Sequence, residues 1–173
     1  MASPIVNVQS IQNVDILTPQ ATAQYVVGEV YQIQDSVYGL RQAMYVKAHA
    51  ALVAGASYVI VPNSALPGEF ITKAPVTSVD AVNLVGTALS AVTSGYYCFL
   101  TVEGVVSAGL AATTYTIGDF VKLISAATSF TPITTSGSTT MTVAAAAMCL
   151  TVGTAGGVGN VLILNRMVTT PAS

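Results

Sequence analysis

Few side chains in this sequence are equipped for chemistry. Of 173 residues, five are Lys or Arg, seven are Asp or Glu, and there is one histidine. A metal site built on several imidazoles is therefore excluded. A Ser-His-Asp arrangement would have to use His49, and no Gly-x-Ser-x-Gly elbow presents a nucleophile to it. The carboxylates are Asp15, Glu29, Asp35, Glu69, Asp80, Glu103 and Asp119. A glycosidase-like pair needs two of them brought together by folding, and their spacing singles out no pair. Asp119, directly after Gly118, is expected to cap a turn. Cys98 and Cys149 lie 51 positions apart without a Cys-x-x-Cys motif. That spacing gives no zinc or redox signature, so two free thiols in a reducing cytosol are expected rather than a disulfide. The run Gly153-Thr154-Ala155-Gly156-Gly157-Val158-Gly159 lacks the lysine and the following helix of a phosphate loop, and reads as a flexible hairpin turn. No catalytic residue, cofactor or metal is expected, and the chain is not expected to be an enzyme.

The elements that would carry these residues are strands. Ala, Val and Thr number 25, 25 and 21, and Val and Thr favour strands. The 14 Gly and 7 Pro supply turns. Only 7% of the residues are charged, against about 25% in a typical soluble domain. Five scattered cations make no phosphate-binding footprint, so no nucleic-acid partner is expected. Mean hydropathy is +0.69, but polar residues interrupt every candidate run of the roughly 18 apolar residues that a spanning helix needs. No membrane partner is expected. Met1-Ala2-Ser3-Pro4 shows no basic segment leading into an apolar one, so no signal peptide is read there. So neutral a surface departs from the mixed-charge surface that keeps a monomer soluble. It points to a chain covered by copies of itself or by a partner.

Residues 1–27 carry Gln9, Gln12, Gln20 and Gln24 among single Val and Ile residues, with no glycine before Gly28. They read as an extended N-terminal arm of about 90 Å reach at roughly 3.3 Å per residue, either a free terminus or a tether onto a neighbour. From Gly28 a unit recurs: a glycine, then an apolar or alternating run. It appears at Gly28, Gly55, Gly95, Gly118 and Gly159. Short strands with turn residues between them predict an all-β fold, an antiparallel β-barrel or β-sandwich, over residues 28–166. Residues 126–166 are a candidate separate β subregion, and 167–173 a C-terminal tail. In strand 95–103, Tyr96, Cys98, Leu100 and Val102 share one face, while Tyr97, Phe99, Thr101 and Glu103 share the other. In Arg41 to His49, Met44, Val46 and Ala48 oppose Ala43, Tyr45, Lys47 and His49. Helix is scarce: Ala48 to Ala54 has the composition for a turn or two before Gly55, but seven residues cannot hold a helix alone. A strand is predicted through 141–152, with Ala146, Met148, Leu150 and Val152 on one face and Cys149 in the opposite phase. The Thr- and Ser-rich stretch 128–142 reads as a hairpin or loop. The 43 residues between Lys122 and Arg166 carry no charge, so the largest subunit contact is expected in that half.

Several motifs resemble the capsid decoration (cement) proteins of tailed bacteriophages. Tyr45-Val46-Lys47-Ala48 followed by Ala51-Leu52-Val53-Ala54-Gly55 resembles their early Tyr-x-Lys-Ala and Ala-Leu-x-x-Gly stretch. Val85-Gly86-Thr87-Ala88 resembles their Val-Gly-x-Ala strand. Gly95-Tyr96-Tyr97 through Val105-Val106 is similar to their aromatic strand, though without its frequent tryptophan. Gly118-Asp119-Phe120-Val121 and Asn160 to Leu164 are similar to later strands, and the whole covers about 28–166 in order. The resemblance implies a β-barrel or β-sandwich virion protein, often a homotrimer, made in the host cytoplasm. Its place would be the outside of the phage head, where it holds major capsid protein subunits together. The expected capsid or subunit interface residues are Ile5, Val6, Val8 and Ile11 in the arm, and Tyr45, Tyr97 and Phe99 on outer strand faces. The alternatives are a tail, baseplate or head-fibre component and, from another class, a carbohydrate-binding β module or surface-layer protein. An enzyme built on an unrecognised carboxylate pair ranks last.

Overall fold

The computed structural model describes residues 9–10, 16–66, 70–73, 84–111, 114–123, 127–133, 141–152 and 156–170, with the backbone alone at 9–10, 73, 141–145 and 166–170. Eleven strands form in it: β1 (Gln9–Ser10), β2 (Val30–Asp35), β3 (Gly39–Ala48), β4 (Ser57–Pro62), β5 (Phe70–Lys73), β6 (Leu84–Ala88), β7 (Tyr97–Gly109), β8 (Phe120–Lys122), β9 (Thr131–Pro132), β10 (Met141–Cys149) and β11 (Val158–Thr170). The protein is all-β, and no helix occurs among the described residues. Pairing runs β3-β5-β4-β6-β7 and returns from β7 to β3, closing a five-stranded barrel. β2 lies against β3, and β1 against β2. The sheet is mixed rather than purely antiparallel. The β4–β5 hairpin folds back so that β5 runs parallel to β3 at Lys47 and Ala48, and β1 is parallel to β2.

β7 belongs to two sheets. Its first half pairs with β3 from Lys47↔Tyr97 to Gln42↔Glu103, and its second half pairs with β11 from Gly104 to Gly109. β11 continues into β10, β8 and β9. The changeover falls at Gly104, with φ +103°, beside an irregularity in β3 between Gln42 and Ala43. A Cβ at Gly104 would lie 2.7 Å from the Cβ of Arg41, so both the conformation and the close approach require glycine there.

The recurring glycine unit takes one structural form four times. Val26–Glu29, Val53–Ala56, Thr93–Tyr96 and Thr116–Asp119 each close a hydrogen bond from the fourth N–H to the first carbonyl, with a positive-φ glycine third. Those are the features of a type II turn. Each glycine N–H then donates to one strand residue, whose own N–H donates to the turn's last carbonyl. The receiving residues are Tyr45, Ala88, Ala48 and Cys149, at N···O distances of 2.7–3.1 Å. The turn is thus clamped to a strand before the next strand begins. Asp119 caps its turn as expected, its Oδ2 accepting from the Thr116 N–H at 2.8 Å. The fifth glycine, Gly159, lies inside β11.

Three apolar cores result. Met44, Val46, Ala48, Tyr58, Ile60, Cys98, Leu100 and Val102 fill the barrel. That is the alternation expected for β3 and β7, except that Tyr96 stays exposed. Val59 and Val85 point out of the barrel and meet Val106, Val121, Phe130, Ala147, Cys149, Val161 and Ile163 of the second sheet. Tyr31, Ile33, Ala43, Tyr45 and Phe99 form the third core.

Two local readings are made more definite and strand boundaries are corrected. Ala48 to Ala54 contains no helix. Leu52 instead bridges Val92 through two backbone hydrogen bonds of 2.9 and 3.0 Å, which costs less than nucleating a helix over seven residues. In β10 a register shift falls between Ala145 and Ala147; beyond it Ala147 and Cys149 are buried in the phase opposite to Met148, as expected, and the strand ends at Cys149 rather than at 152. The boundary drawn at 166 gives way to a strand that continues to Thr170, paired with β10 back to Met141.

Asn165 ties the two sheets together. Its φ of +46° is a region that Asn tolerates better than most residues. Its Oδ1 accepts from the Val85 N–H at 2.9 Å, and its Nδ2 donates to the carbonyls of Val85 (2.9 Å) and Val102 (2.6 Å). Asn165→Ala should cost about 2–4 kcal/mol in urea denaturation, because three backbone groups lose their partner. Asn165→Asp should cost at least as much, since a carboxylate then faces two carbonyl oxygens.

Candidate functional site

The chemically capable groups are dispersed. No group of three or more His, Cys, Asp or Glu forms a metal-binding cluster among the described residues. His49, Glu29 and Glu103 are exposed and Asp119 is half-buried, all on different elements, while Asp15, Glu69 and Asp80 lie outside the described residues. Both cysteines are buried and free. Burial pushes the Cys98 thiol up to about 12. Burial, and then the charge of Asp119, push the Cys149 thiol up to about 11. Neither is a nucleophile in the folded protein.

Asp35 and Arg41 form an ion pair across the β2–β3 hairpin, with Arg41 almost fully buried. The same carboxylate accepts from the N–H groups of Val37 and Tyr38 at 2.8 and 2.9 Å. Burial lifts the Asp35 carboxyl, but the Tyr38 and Val37 donors and the Arg41 charge outweigh it and hold it below the usual carboxylate range. Asp35 therefore stays ionised and fully engaged in shaping the hairpin. Two clefts, of about 410 and 380 Å³, share Arg41 in their walls. Gln32, Gln42 and Glu103 line the first with Leu40, Leu162 and Leu164. Leu17, Ala54, Leu89, Val106 and Val158 dominate the second. Neither brings two free carboxylates together.

The aromatic residues expected at an interface are brought together, but inside the chain. Phe99 packs against Tyr45, Tyr25 and Tyr31 at ring-centroid distances of 4.8, 5.2 and 5.6 Å. Tyr45 is 1% exposed and Phe99 4%. Assigning these two to a partner surface is therefore corrected: residues 16–27, expected to extend away as an arm, fold over them. Gln20 exchanges backbone hydrogen bonds with Tyr97 at 2.9 and 2.8 Å. The Tyr45 hydroxyl donates to Gln20 Oε1 at 2.8 Å and accepts from the Gln24 N–H at 3.2 Å. The Tyr31 hydroxyl donates to Glu29 Oε2 and accepts from the Val26 N–H. Burial raises both phenols above their ordinary value, so these donors persist into alkaline solution. Tyr97 is half-buried, with the Lys47 ammonium 5.3 Å from its ring centroid. It is the member of the expected trio that still reaches the surface. Ile5, Val6, Val8 and Ile11 lie outside the described residues.

The surface itself is the candidate site. Large apolar side chains stand exposed on it, and three sit at corners of the clamped turns: Val26 at 59%, Val53 at 65% and Ile117 at 68%. Val37, Leu40, Val152 and Val158 are also exposed. Turn corners favour polar residues, so Val26-Val27, Val53-Ala54 and Ile117, ahead of three of the four turn glycines, are the signal in the sequence.

No protein-family model and no curated protein matches the chain. Among solved structures, the chain is similar to the N base of head fiber gp8.5 of bacteriophage phi29, with a TM-score of 0.46 and 11% sequence identity, over 73% of this chain and 96% of that one.

Two measurements test the site's description. Tyr45→Phe removes both hydrogen bonds to Gln20 and Gln24. It should cost about 1–3 kcal/mol and raise the rate of proteolysis within residues 16–27 ahead of global unfolding. Cys98 and Cys149 should both resist a thiol-titrating disulfide reagent at pH 8 in the native protein and both react in denaturant.

Proposed function

We propose that this protein is a structural component of a tailed-phage virion: a capsid decoration protein on the outside of the head that bridges neighbouring major capsid subunits as a homotrimer. The observation that carries this reading is the set of apolar turn corners standing on a surface with almost no charge. Exposed apolar residues mark an interaction surface where they adjoin one another, and in this reading the turn corners do so. With so few ions, the contact draws on buried apolar area, worth about 25 cal/mol per Å², and on avidity between linked subunits. The ordered motifs over 28–166 that resemble decoration proteins supply the partner. The role needs no catalysis, cofactor, nucleic acid or membrane, and the dispersed, structurally occupied polar groups suit it. The protein would be made in the host cytoplasm and end on the capsid exterior.

Adding the purified protein to phage heads that lack it, then imaging them by electron microscopy, tests this directly. Many copies should appear at regular positions on the outer surface. They should remain at about 1 M NaCl, where the screening length is about 3 Å. Release by salt, or no binding to heads, would overturn the proposal. A few copies at discrete projecting positions would identify a fibre component instead.

A further inference from the structure

The ends of β10 and β11 carry a feature that the fold leaves unused. β8 pairs with β10 only at Ala147 and Met148, and β7 pairs with β11 only as far as Ile163. From there Met141 to Ala145 and Arg166 to Thr170 pair with each other, as five consecutive residue pairs. Among the described residues no other strand reaches either outer edge. The point of departure is marked on both strands, by the register shift between Ala145 and Ala147 and by Asn165 with its left-handed backbone. The result is a two-stranded ribbon about 17 Å long at roughly 3.4 Å per residue, projecting from the second sheet.

We infer that this ribbon is the subunit contact, and that three copies close it into a six-stranded antiparallel ring, β10 of each chain lying beside β11 of the next. A lone two-stranded ribbon is marginally stable in water, and among the described residues neither edge has a strand to pair its N–H and C=O groups. Exposed edges are ordinarily guarded by charges, proline or bulges. Met141-Thr142-Val143-Ala144-Ala145 has no charge and no proline, and on the other strand Arg166 at the base is the lone charge. An edge without charge selects an uncharged strand as its partner, and the ribbon of a second copy is one. Because β10 and β11 are antiparallel within each chain, β10 against the next chain's β11 is antiparallel as well. That contact is head-to-tail, and three such contacts close a ring that leaves no edge unpaired. The inference deepens the homotrimer part of the proposed function and does not depend on a capsid.

Sedimentation of the wild-type protein and disulfide trapping test it together. Thr142→Cys chains would be co-expressed in turn with Met167→Cys, Val168→Cys, Thr169→Cys or Thr170→Cys chains, then oxidised. The native thiols are buried and give no background. The sedimenting mass should be three times that of the chain. One of the four combinations should form an interchain disulfide while Thr142→Cys alone forms none, because in a six-stranded ring two β10 strands separated by one β11 lie about 8 Å apart, beyond the usual Cα separation of a disulfide. A monomer, a trimer with no trapped combination, or crosslinking of Thr142→Cys with itself would each overturn the ring. A trapped trimer that ignores phage heads would overturn the decoration role alone. A monomer that binds heads would overturn the ring alone.

Discussion

One strand has to satisfy two sheets, and the architecture follows from that. β7 closes the barrel with its first half and founds the second sheet with its second. At Gly104 the backbone changes partner within one residue, which a side chain there would block against Arg41. Arg41 itself is buried at this junction and is neutralised by Asp35. The ion pair of the β2–β3 hairpin thus serves the place where the chain can least accommodate another arrangement. Asn165 answers the same constraint from the far side, binding Val85 of the barrel and Val102 of β7 from a strand of the second sheet. Between these two points the outward valines of the barrel become the inner wall of the second core. The barrel and the second sheet therefore share one strand and one apolar wall.

The strands and most of their faces were legible in the sequence because alternation reports burial directly. Met44, Val46, Ala48, Cys98, Leu100 and Val102 do line the barrel. The glycine unit was legible as punctuation, but its clamp was not, since the receiving residues Tyr45, Ala88, Ala48 and Cys149 come from elsewhere in the chain. One internal echo was available and passed over. Ala48, Ala51, Leu52 and Gly55 recur 40 positions later as Ala88, Ala91, Val92 and Gly95. The two copies clamp one another: the first turn receives Ala88, the second receives Ala48, and Leu52 bridges Val92. That reciprocity is why Ala48 to Ala54, helical by composition, is extended.

The interface residues were the least legible. Tyr97 and Phe99 lie on a strand face that is half aromatic and half polar, a pattern that fits a partner surface and a local cover equally well. The choice was made by Gln20, Gln24 and Tyr25, whose hydrogen bonds and ring contacts close residues 16–27 over Tyr45 and Phe99. A glycine-free segment in which apolar residues alternate irregularly with Thr, Pro and Gln carries no periodicity by which this docking could be read. In β10 the faces beyond Ala147 follow the expected alternation, but the register shift between Ala145 and Ala147 was not legible, because nothing in Ala144 to Ala147 marks where it falls.

Scarcity of charge is consistent with these structural solutions. A buried ion pair must recover a large desolvation cost, and the described residues form one, where Asp35 gains two backbone donors in addition to its arginine. Elsewhere the fold uses backbone reciprocity and amide or phenol hydrogen bonds to join distant segments, as at the four clamped turns, Asn165 and Tyr45. Groups of that kind lose little when a second surface covers them, because their hydrogen bonds are already made within the chain. A surface of apolar turn corners over satisfied backbone can therefore be buried without stranding a charge. No strand among the described residues covers the edges of the β10–β11 ribbon, so association there can add hydrogen bonds, whereas the side-chain groups left without partners, Arg41 Nε and the Thr72, Thr101 and Thr131 hydroxyls, are buried inside the chain.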